Sequence, residues 1–289
     1  MTRLSSEFLV DIGRELDNYN MELLRKTGCT LRGIASHAAG ITEAEVCDAS
    51  SSISVAVVPI TWGKGIIKYF AQAVQSVVSY TGFTSFVTCG YDVAGLAEGI
   101  KRGAEIIFLA DDNCFVAINL PHRLVVDNSE ATGRGYAAAL ECMVGDLHKR
   151  SVLVIGAGRV GRSAAYALKR LGAKIAVFDI NQSKAEIVAR ECEAVREESL
   201  AQALQRYTIL LDASPASGII QAEHITPNTV IAACGIPMGL SAEAYSLVED
   251  RLVHDPLQIG VATMLAMAIK NEGGDENKES SQKVLSKAS

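Results

Sequence analysis

The chain has 289 residues, which suits two domains of about 100 to 150 residues each, and its 49% hydrophobic and 21% charged residues are typical of a globular protein. Its formal net charge of −6 argues against a nucleic-acid partner, which would need clustered Lys and Arg side chains to neutralise phosphates. The seven cysteines contain no Cys-x-x-Cys pair, and no apolar run is long enough for a signal peptide or a membrane span, so we expect a cytoplasmic protein without a disulfide framework, metal site or membrane partner.

The first half of the chain predicts a smaller α/β domain with a leading helix. Apolar residues at spacings of three and four predict an amphipathic helix over residues 6–27 that ends at Gly28. A loop of small residues follows, up to a β-branched run over residues 54–60 that predicts a buried strand. The later predicted elements are helix 65–82, strand 83–89, helix 92–103, strand 105–113, strand 114–120 and helix 132–147.

The second half alternates strands and helices more regularly, which predicts a doubly wound parallel sheet of the Rossmann type. The predicted elements are strand 151–155, helix 159–171, strand 174–178, helix 183–193, strands 208–212, 229–234 and 251–254, and helix 260–270. The expected domains are 1–128 for the first domain, 129–150 for a linking helix, 151–270 for the Rossmann domain and 271–289 for a polar, disordered tail.

A glycine loop, Gly156-Ala157-Gly158-Arg159-Val160-Gly161, lies between a predicted strand and a predicted helix. In this context Gly156 allows a tight turn, Gly158 lets a pyrophosphate approach the backbone, and Gly161 lets the helix pack against the strand. Arg159 and Val160 open the helix, whose N-terminus favours negative charge. The motif alone is weak evidence, because a glycine-rich turn needs no ligand.

A second feature supports a dinucleotide site. The next predicted strand ends in Asp179, about 23 residues after the first glycine, which is close to the spacing of a ribose-binding carboxylate. That carboxylate would repel a 2′-phosphate, and no arginine follows closely to bind one, so the sequence favours NAD over NADP. Further cofactor contacts are expected from Ser214 and Pro215 and from Cys234 and Gly235 at later strand ends, where ordinary turns explain the residues equally well.

The sequence has no Ser-His-Asp spacing, metal-ligand cluster or Gly-Lys-Ser/Thr loop, which leaves hydride transfer as the favoured chemistry. Thr61 and Trp62 lie in a glycine-flanked segment after a buried strand and are candidates for substrate binding. The segment is predicted to open a helix whose amides could bind an anionic group.

Three carboxylates at predicted strand ends are candidates for catalysis, because carboxylates suit a cationic substrate and one could take a proton from an ammonium group. Asp111 and Asp112 precede Asn113, a candidate for substrate binding, in one turn, and Asp255 follows the last strand. Turn formation or helix capping explains the first group as well as catalysis does.

Five segments resemble the pyrrolysine synthase family, the PylD-type dehydrogenases that close a ring in the last step of pyrrolysine biosynthesis. They are VVPITWGKGIIKYF, FLADDNCFVAINL, VLVIGAGRVG, CGIP and HDPLQIGVATML. They span most of residues 54–269, and the first two are the specific ones, since many dehydrogenases share the glycine loop.

The resemblance implies that NAD oxidises the terminal ornithine amine of 3-methylornithyl-lysine, and that cyclisation with loss of ammonia gives pyrrolysine. It assigns the acidic catalytic positions to Asp111 or Asp112 and to Asp255. It also implies that an N-terminal helix closes over the substrate, which here would involve Leu4 and Ser5. A homodimer is expected for this class.

Three alternatives stay open on the sequence. The first is an enzyme similar to shikimate or methylene-tetrahydrofolate dehydrogenases, although their Lys-Asp pair is not evident. The second is a non-catalytic NAD-binding sensor, and the third is a ring-forming oxidoreductase that acts on another diamine or amino acid.

Overall fold

The strands of the chain form two sheets, one from each half, in a computed structural model that describes residues 4–270. The elements of the first half are α1 (Ile12–Thr27), α2 (Leu31–Ala39), α3 (Glu43–Ser50), β1 (Ser54–Val58), α4 (Phe70–Tyr80), β2 (Thr84–Val87), α5 (Asp92–Lys101), β3 (Ile106–Ala110), β4 (Phe115–Asn119), β5 (Leu124–Asp127) and α6 (Asn128–Val144). Their sheet has the order β2-β1-β3-β4-β5. The first three strands are parallel, whereas β4 and β5 run antiparallel to their neighbours.

The second half forms a parallel sheet with the order β11-β10-β9-β6-β7-β8. Its elements are β6 (Ser151–Ile155), α7 (Arg159–Arg170), β7 (Lys174–Phe178), α8 (Gln182–Cys192), β8 (Val195–Arg196), α9 (Leu200–Arg206), β9 (Ile209–Asp212), β10 (Val230–Ala233), α10 (Ala242–Val248), β11 (Leu252–His254) and α11 (Gln258–Ile269). The chain builds outward from β6 in one direction and then resumes at β9 on the other side. This reversal confirms the doubly wound α/β fold, and it opens a crevice at the carboxyl ends of β6 and β9.

The predicted loop between residues 28 and 53 is wrong, because α2 and α3 form there. Thr30 caps α2 by accepting from the Gly33 amide, and Thr42 forms a capping box with Glu45 on α3. The small residues allow α2 to pack closely against α6 and α11. The small residues of this segment are therefore explained by close helix packing and do not indicate a loop.

Several other elements begin at residues different from those predicted. The leading helix begins at Ile12 after a short 3-10 turn at Ser6–Phe8. The helix expected from residue 65 begins at Phe70, because Gly65 and Tyr69 have φ of 79° and 68°, outside the helical region. The short elements β5, β8, α9 and α10 were not predicted. The predicted tail at 271–289 lies outside the described residues.

The last helix, α11, was placed with the Rossmann half but packs mainly against α6, α2, α4 and β4. It is apolar around its circumference, with eleven of its twelve residues buried. A helix that is apolar on every side must be covered on every side, and elements of the first half supply most of that cover. The chain therefore returns to its first half after the Rossmann sheet is complete.

Close packing of α6 against α7 fixes the glycine loop relative to the first half. A Cβ atom on Gly133 of α6 would lie 2.6 Å from the Ala164 backbone nitrogen and 2.7 Å from the Val160 carbonyl oxygen, both in α7. Neither backbone atom can move without shifting a helix. Glycine at 133 thus sets the distance between the two helices.

We expect Gly133→Ala to lower the free energy of unfolding by about 1–3 kcal/mol through overpacking, even though alanine favours a helix by about 1 kcal/mol. The control is Gly33→Ala in α2, where an added Cβ would meet only the side chains of Glu43 and Thr30, at 3.1 and 3.3 Å. Urea unfolding measures both variants. Equal stabilities of the two variants would contradict the packing argument.

Candidate active site

The glycine loop joins β6 to α7 and has its open side toward solvent. Gly156 has φ of 95°, and a Cβ on Gly161 would lie 1.8 Å from the Gly156 carbonyl oxygen, so both positions require glycine. No atom lies within 4 Å of a Cβ built on Gly158, which is the N-cap of α7 and is exposed. The loop therefore offers bare backbone and a helix N-terminus to an anionic group.

Asp179 follows β7 and is joined to the same loop. Its Oδ2 accepts from the Ala157 amide at 2.7 Å, and its Oδ1 accepts from the Asn181 amide at 2.7 Å. Each carboxylate oxygen retains acceptor capacity after one such bond. The arginine on the neighbouring strand, Arg196, donates to Gln182 and pairs with the carboxylates of Glu186 and Glu198.

Arg159 was predicted to contact the cofactor, but its guanidinium group turns toward the first half of the chain. It pairs with Asp127 at 2.7 Å and donates to the Asn113 carbonyl at 3.4 Å. Asp127 is held in place because its other oxygen caps α6. Exposed pairs contribute about 1 kcal/mol at most, so Arg159 adds a weak link between the halves.

A cavity of about 170 Å³ separates the two halves at the carboxyl ends of β9, β10 and β11. Six of the predicted site residues line it: Leu4, Val160, Pro215, Cys234, Gly235 and Asp255. The loops after β9 and β10 touch each other here, since a Cβ on Gly235 would lie 1.9 Å from the Ser214 carbonyl oxygen. The structure thus brings Pro215, Cys234, Gly235 and Asp255, which follow three strands of the Rossmann half, to one cleft.

Asp255 lines this cleft and is 5% exposed. Its Oδ2 accepts from the hydroxyls of Tyr19 and Tyr136 at 2.6 and 3.0 Å, and its Oδ1 accepts from the Leu257 amide at 2.9 Å. Burial of the two hydroxyls, followed by the charge of Asp255, raises the pKa of both tyrosines well above the ordinary value. Both therefore remain neutral donors at neutral pH.

Sequence reasoning missed Tyr19 and Tyr136. They lie 236 and 119 residues from Asp255 in the chain, so no local pattern connects them. Tyr19 belonged to the apolar stripe of the leading helix, which is the usual signal of a core residue and not of a hydrogen-bond donor.

A smaller cavity, of about 50 Å³, lies at the carboxyl ends of β1 and β3 and is lined by the predicted residues Trp62, Asp111 and Asp112. Phe70 and Phe115 line both this cavity and the interdomain cleft, so the two spaces are neighbours. Their rings are 5.2 Å apart in an edge-to-face contact. The candidate carboxylates of the two halves thus line adjacent cavities.

Asp111 and Asp112 differ in their contacts. The Asp111 Oδ1 accepts from the amides of Asn113 and Cys114 at 2.7 and 2.8 Å, which is the turn-forming role that the sequence left open. The Asp112 Oδ2 accepts from the Lys64 amide at 2.6 Å and so ties the glycine-rich segment to the end of β3.

The remaining predicted substrate-binding residues lie outside the walls of the two cavities. Thr61 is exposed and donates to Asp92 from both its amide and its hydroxyl. Asn113 is exposed beside Arg159, and Ser5 precedes the 3-10 turn at the N-terminus.

Within residues 4–270, no three His, Cys, Asp or Glu side chains cluster in a way that could hold a metal ion. No helix in that part of the chain is long and apolar enough to cross a membrane.

Family models match both halves of the chain. Residues 9–126 match the N-terminal domain of the pyrrolysine biosynthesis protein PylD, and residues 129–255 match the C-terminal domain of alanine dehydrogenase/PNT. Shikimate dehydrogenase from Aquifex aeolicus is similar in structure, with a TM-score of 0.51 and 14% identity over 76% of this chain and 91% of that chain. Quinate dehydrogenase from Corynebacterium glutamicum in complex with NAD also has a TM-score of 0.51, with 16% identity over 76% of this chain and 94% of that chain. At such identities the likeness shows the fold alone.

Similarity in sequence identifies the family as well as the fold. The pyrrolysine synthase of Methanosarcina acetivorans is 33% identical over 266 residues, which cover 92% of this chain and 98% of that protein. The resemblance that five segments indicated thus extends over nearly the whole length of both proteins. The chain belongs to the pyrrolysine synthase family.

Proposed function

We propose that this protein is an NAD-dependent dehydrogenase that oxidises the terminal ornithine amine of 3-methylornithyl-lysine, with cyclisation and loss of ammonia to give pyrrolysine. Family membership and a dehydrogenase fold support a role in pyrrolysine biosynthesis. The observation that carries the finer proposal is the pair of adjacent cavities that contain Asp112 and Asp255 beside the strand ends of a dinucleotide fold. We expect a cytoplasmic homodimer.

The residues of the Rossmann half fit NAD. The bare backbone at Gly158 and the N-terminus of α7 would receive the pyrophosphate, and Asp179 would accept hydrogen bonds from the adenosine ribose. A 2′-phosphate would meet the Asp179 charge, and Arg196 is already paired with two carboxylates. These contacts favour NAD over NADP.

NAD, when bound, supplies the acceptor for a hydride from the carbon that bears the ornithine amine. Before that hydride leaves, the ammonium group must lose a proton, and Asp112 is our candidate for the base. The amine then becomes an imine. The ornithine α-amine adds to the imine carbon, ammonia leaves, and the five-membered ring contains the new carbon–nitrogen double bond.

The walls around Asp112 suit this chemistry. Ile67, Phe70 and Phe115 are apolar and limit the access of water, which would otherwise hydrolyse an imine. Asp255 supplies a second negative charge on the other side of the two phenylalanine rings, and its bonds from Tyr19 and Tyr136 hold it in place. We assign it a binding role toward the ammonium groups of the substrate.

The direct test is to incubate the purified protein with NAD and synthetic 3-methylornithyl-lysine while following NADH absorbance, released ammonia and product mass. We expect one NADH and one ammonia for each ring formed. Binding of NAD without any turnover would contradict the proposal and favour the sensor or a different amine substrate.

For the cofactor, we expect Asp179→Ala to weaken NAD binding about tenfold to a hundredfold, since hydrogen bonds to a charged group contribute roughly 1.5–3 kcal/mol. Calorimetric titration measures the affinity, and thermal unfolding checks that the variant is folded. Glu198→Ala is the matched control, because it removes an exposed carboxylate of the same domain and should bind NAD normally. Unchanged affinity in the Asp179 variant would refute the assignment.

For catalysis, we expect Asp112→Asn to lower kcat at least about a hundredfold while NAD affinity stays unchanged, as loss of a general base does. Asp111→Asn is the matched comparison. It keeps the acceptor oxygen that forms the turn, so its effect on kcat should be much smaller. If Asp111→Asn were the slower variant, the base would be Asp111 instead.

A further inference from the structure

Asp212, the last residue of β9, is a fully buried carboxylate that the proposed function leaves without a role. Its Oδ1 accepts from the Ser214 amide at 3.0 Å, and its Oδ2 accepts from the Gly239 amide at 3.1 Å. No Lys, Arg or His of residues 4–270 forms an ion pair with it. The side chain thus holds together the loops after β9 and β10 with backbone donors alone.

Burial of this carboxylate is costly, since taking a charge out of water without a counter-charge costs several kcal/mol. Desolvation raises the pKa of Asp212 to about 6, against the lowering effect of the two backbone bonds. The side chain is therefore ionised at neutral pH and becomes neutral below that value. Perturbed carboxylates of this kind concentrate at functional sites.

The titratable group that faces Asp212 is the thiol of Cys234, at the end of β10, which donates to the Asp212 carbonyl oxygen at 3.4 Å. Burial and then the charge of Asp212 raise the pKa of this thiol, which keeps it neutral. Tyr136 of α6 and Asp255 after β11 interact electrostatically with Cys234 in turn. Asp255 is the second carboxylate of this region.

The loops that Asp212 holds form one wall of the interdomain cleft. Ala213, Pro215, Cys234 and Gly235 from these loops line the cavity. Asp179, our candidate for the ribose-binding carboxylate, follows β7. In the strand order, β6 and its glycine loop lie between β7 and the strands β9 and β10. A dinucleotide bound across the switch point with its ribose at Asp179 would place its nicotinamide on the β9 and β10 side.

We propose that Asp212 makes the cofactor site selective for the oxidised form of NAD, whose nicotinamide ring carries a positive charge that the ring of NADH lacks. The inference rests on the proposed function as an NAD-dependent enzyme. Asp212 acts through its field across the loop and not by contact. Because hydride transfer cancels the ring charge, the attraction ends with the reaction, and the reduced cofactor leaves more readily than the oxidised one.

The expected preference is about tenfold, the order of magnitude of an attraction between two unit charges across a loop at an effective dielectric constant of about 20. The test measures the dissociation constants of NAD and of 1,4,5,6-tetrahydro-NAD, an acid-stable analogue with an uncharged ring, by calorimetry between pH 5 and 7.5. In the wild-type protein, we expect the preference for NAD to fall severalfold as the pH drops from 7.5 to 5 and Asp212 takes up a proton, because bound NAD keeps the carboxylate ionised to a lower pH.

Asp212→Asn should bind both ligands with a small preference that does not change with pH. Asp179→Asn is the control, because its charge lies at the adenosine end: both ligands should weaken equally, and the pH-dependent preference should remain. If Asp212→Asn does not fold, the wild-type protein still decides the matter, since binding of NAD near pH 6 should release protons and binding of the analogue should not.

A preference that is independent of pH in the wild-type protein, or that persists unchanged in Asp212→Asn, would overturn the inference and leave the proposed function intact. Failure of both ligands to bind would overturn the cofactor assignment itself, and the inference with it.

Discussion

Asp255 accepts hydrogen bonds from Tyr19 of α1, Tyr136 of α6 and the first amides of α11, so three helices from distant parts of the chain meet at one buried carboxylate. Removing either tyrosine hydroxyl would leave part of a buried charge unsatisfied, which is costly at 5% exposure. The same carboxylate borders the interdomain cleft. The interaction that joins the two halves is therefore also part of the site, and neither half can form that site alone.

The sequence predicted those parts of the molecule that depend on local spacing. The glycine loop and Asp179 follow from about 23 residues of one βαβ unit, and the structure joins them through the Ala157 amide. The parallel sheet of the Rossmann half followed from the alternation of strands and helices along the chain. The α2 and α3 helices were missed because their small residues gave no strong apolar period, although Thr30 and Thr42 were readable as caps.

The sequence predicted which strand ends carry the candidate site residues, but not the contacts that their side chains form. The roles of Asp111 and Asp112 depend on which oxygen accepts which amide, and adjacent positions in a sequence do not encode that difference. Arg159 was expected at the cofactor because of its place in the loop, yet its long side chain reaches Asp127 in the other half. The burial of Asp212 gave no signal, because a carboxylate at a strand end looks the same in a sequence whether it is solvated or buried.

The return of α11 to the first half means that the chain crosses between the halves twice, once through α6 and once at Asp255 just before α11. The Tyr136 hydroxyl contacts Asp255, so the two crossings are pinned to each other at the edge of the cleft. The relative position of the walls that the two halves contribute to the cleft is therefore set by the same contact that joins the two connections.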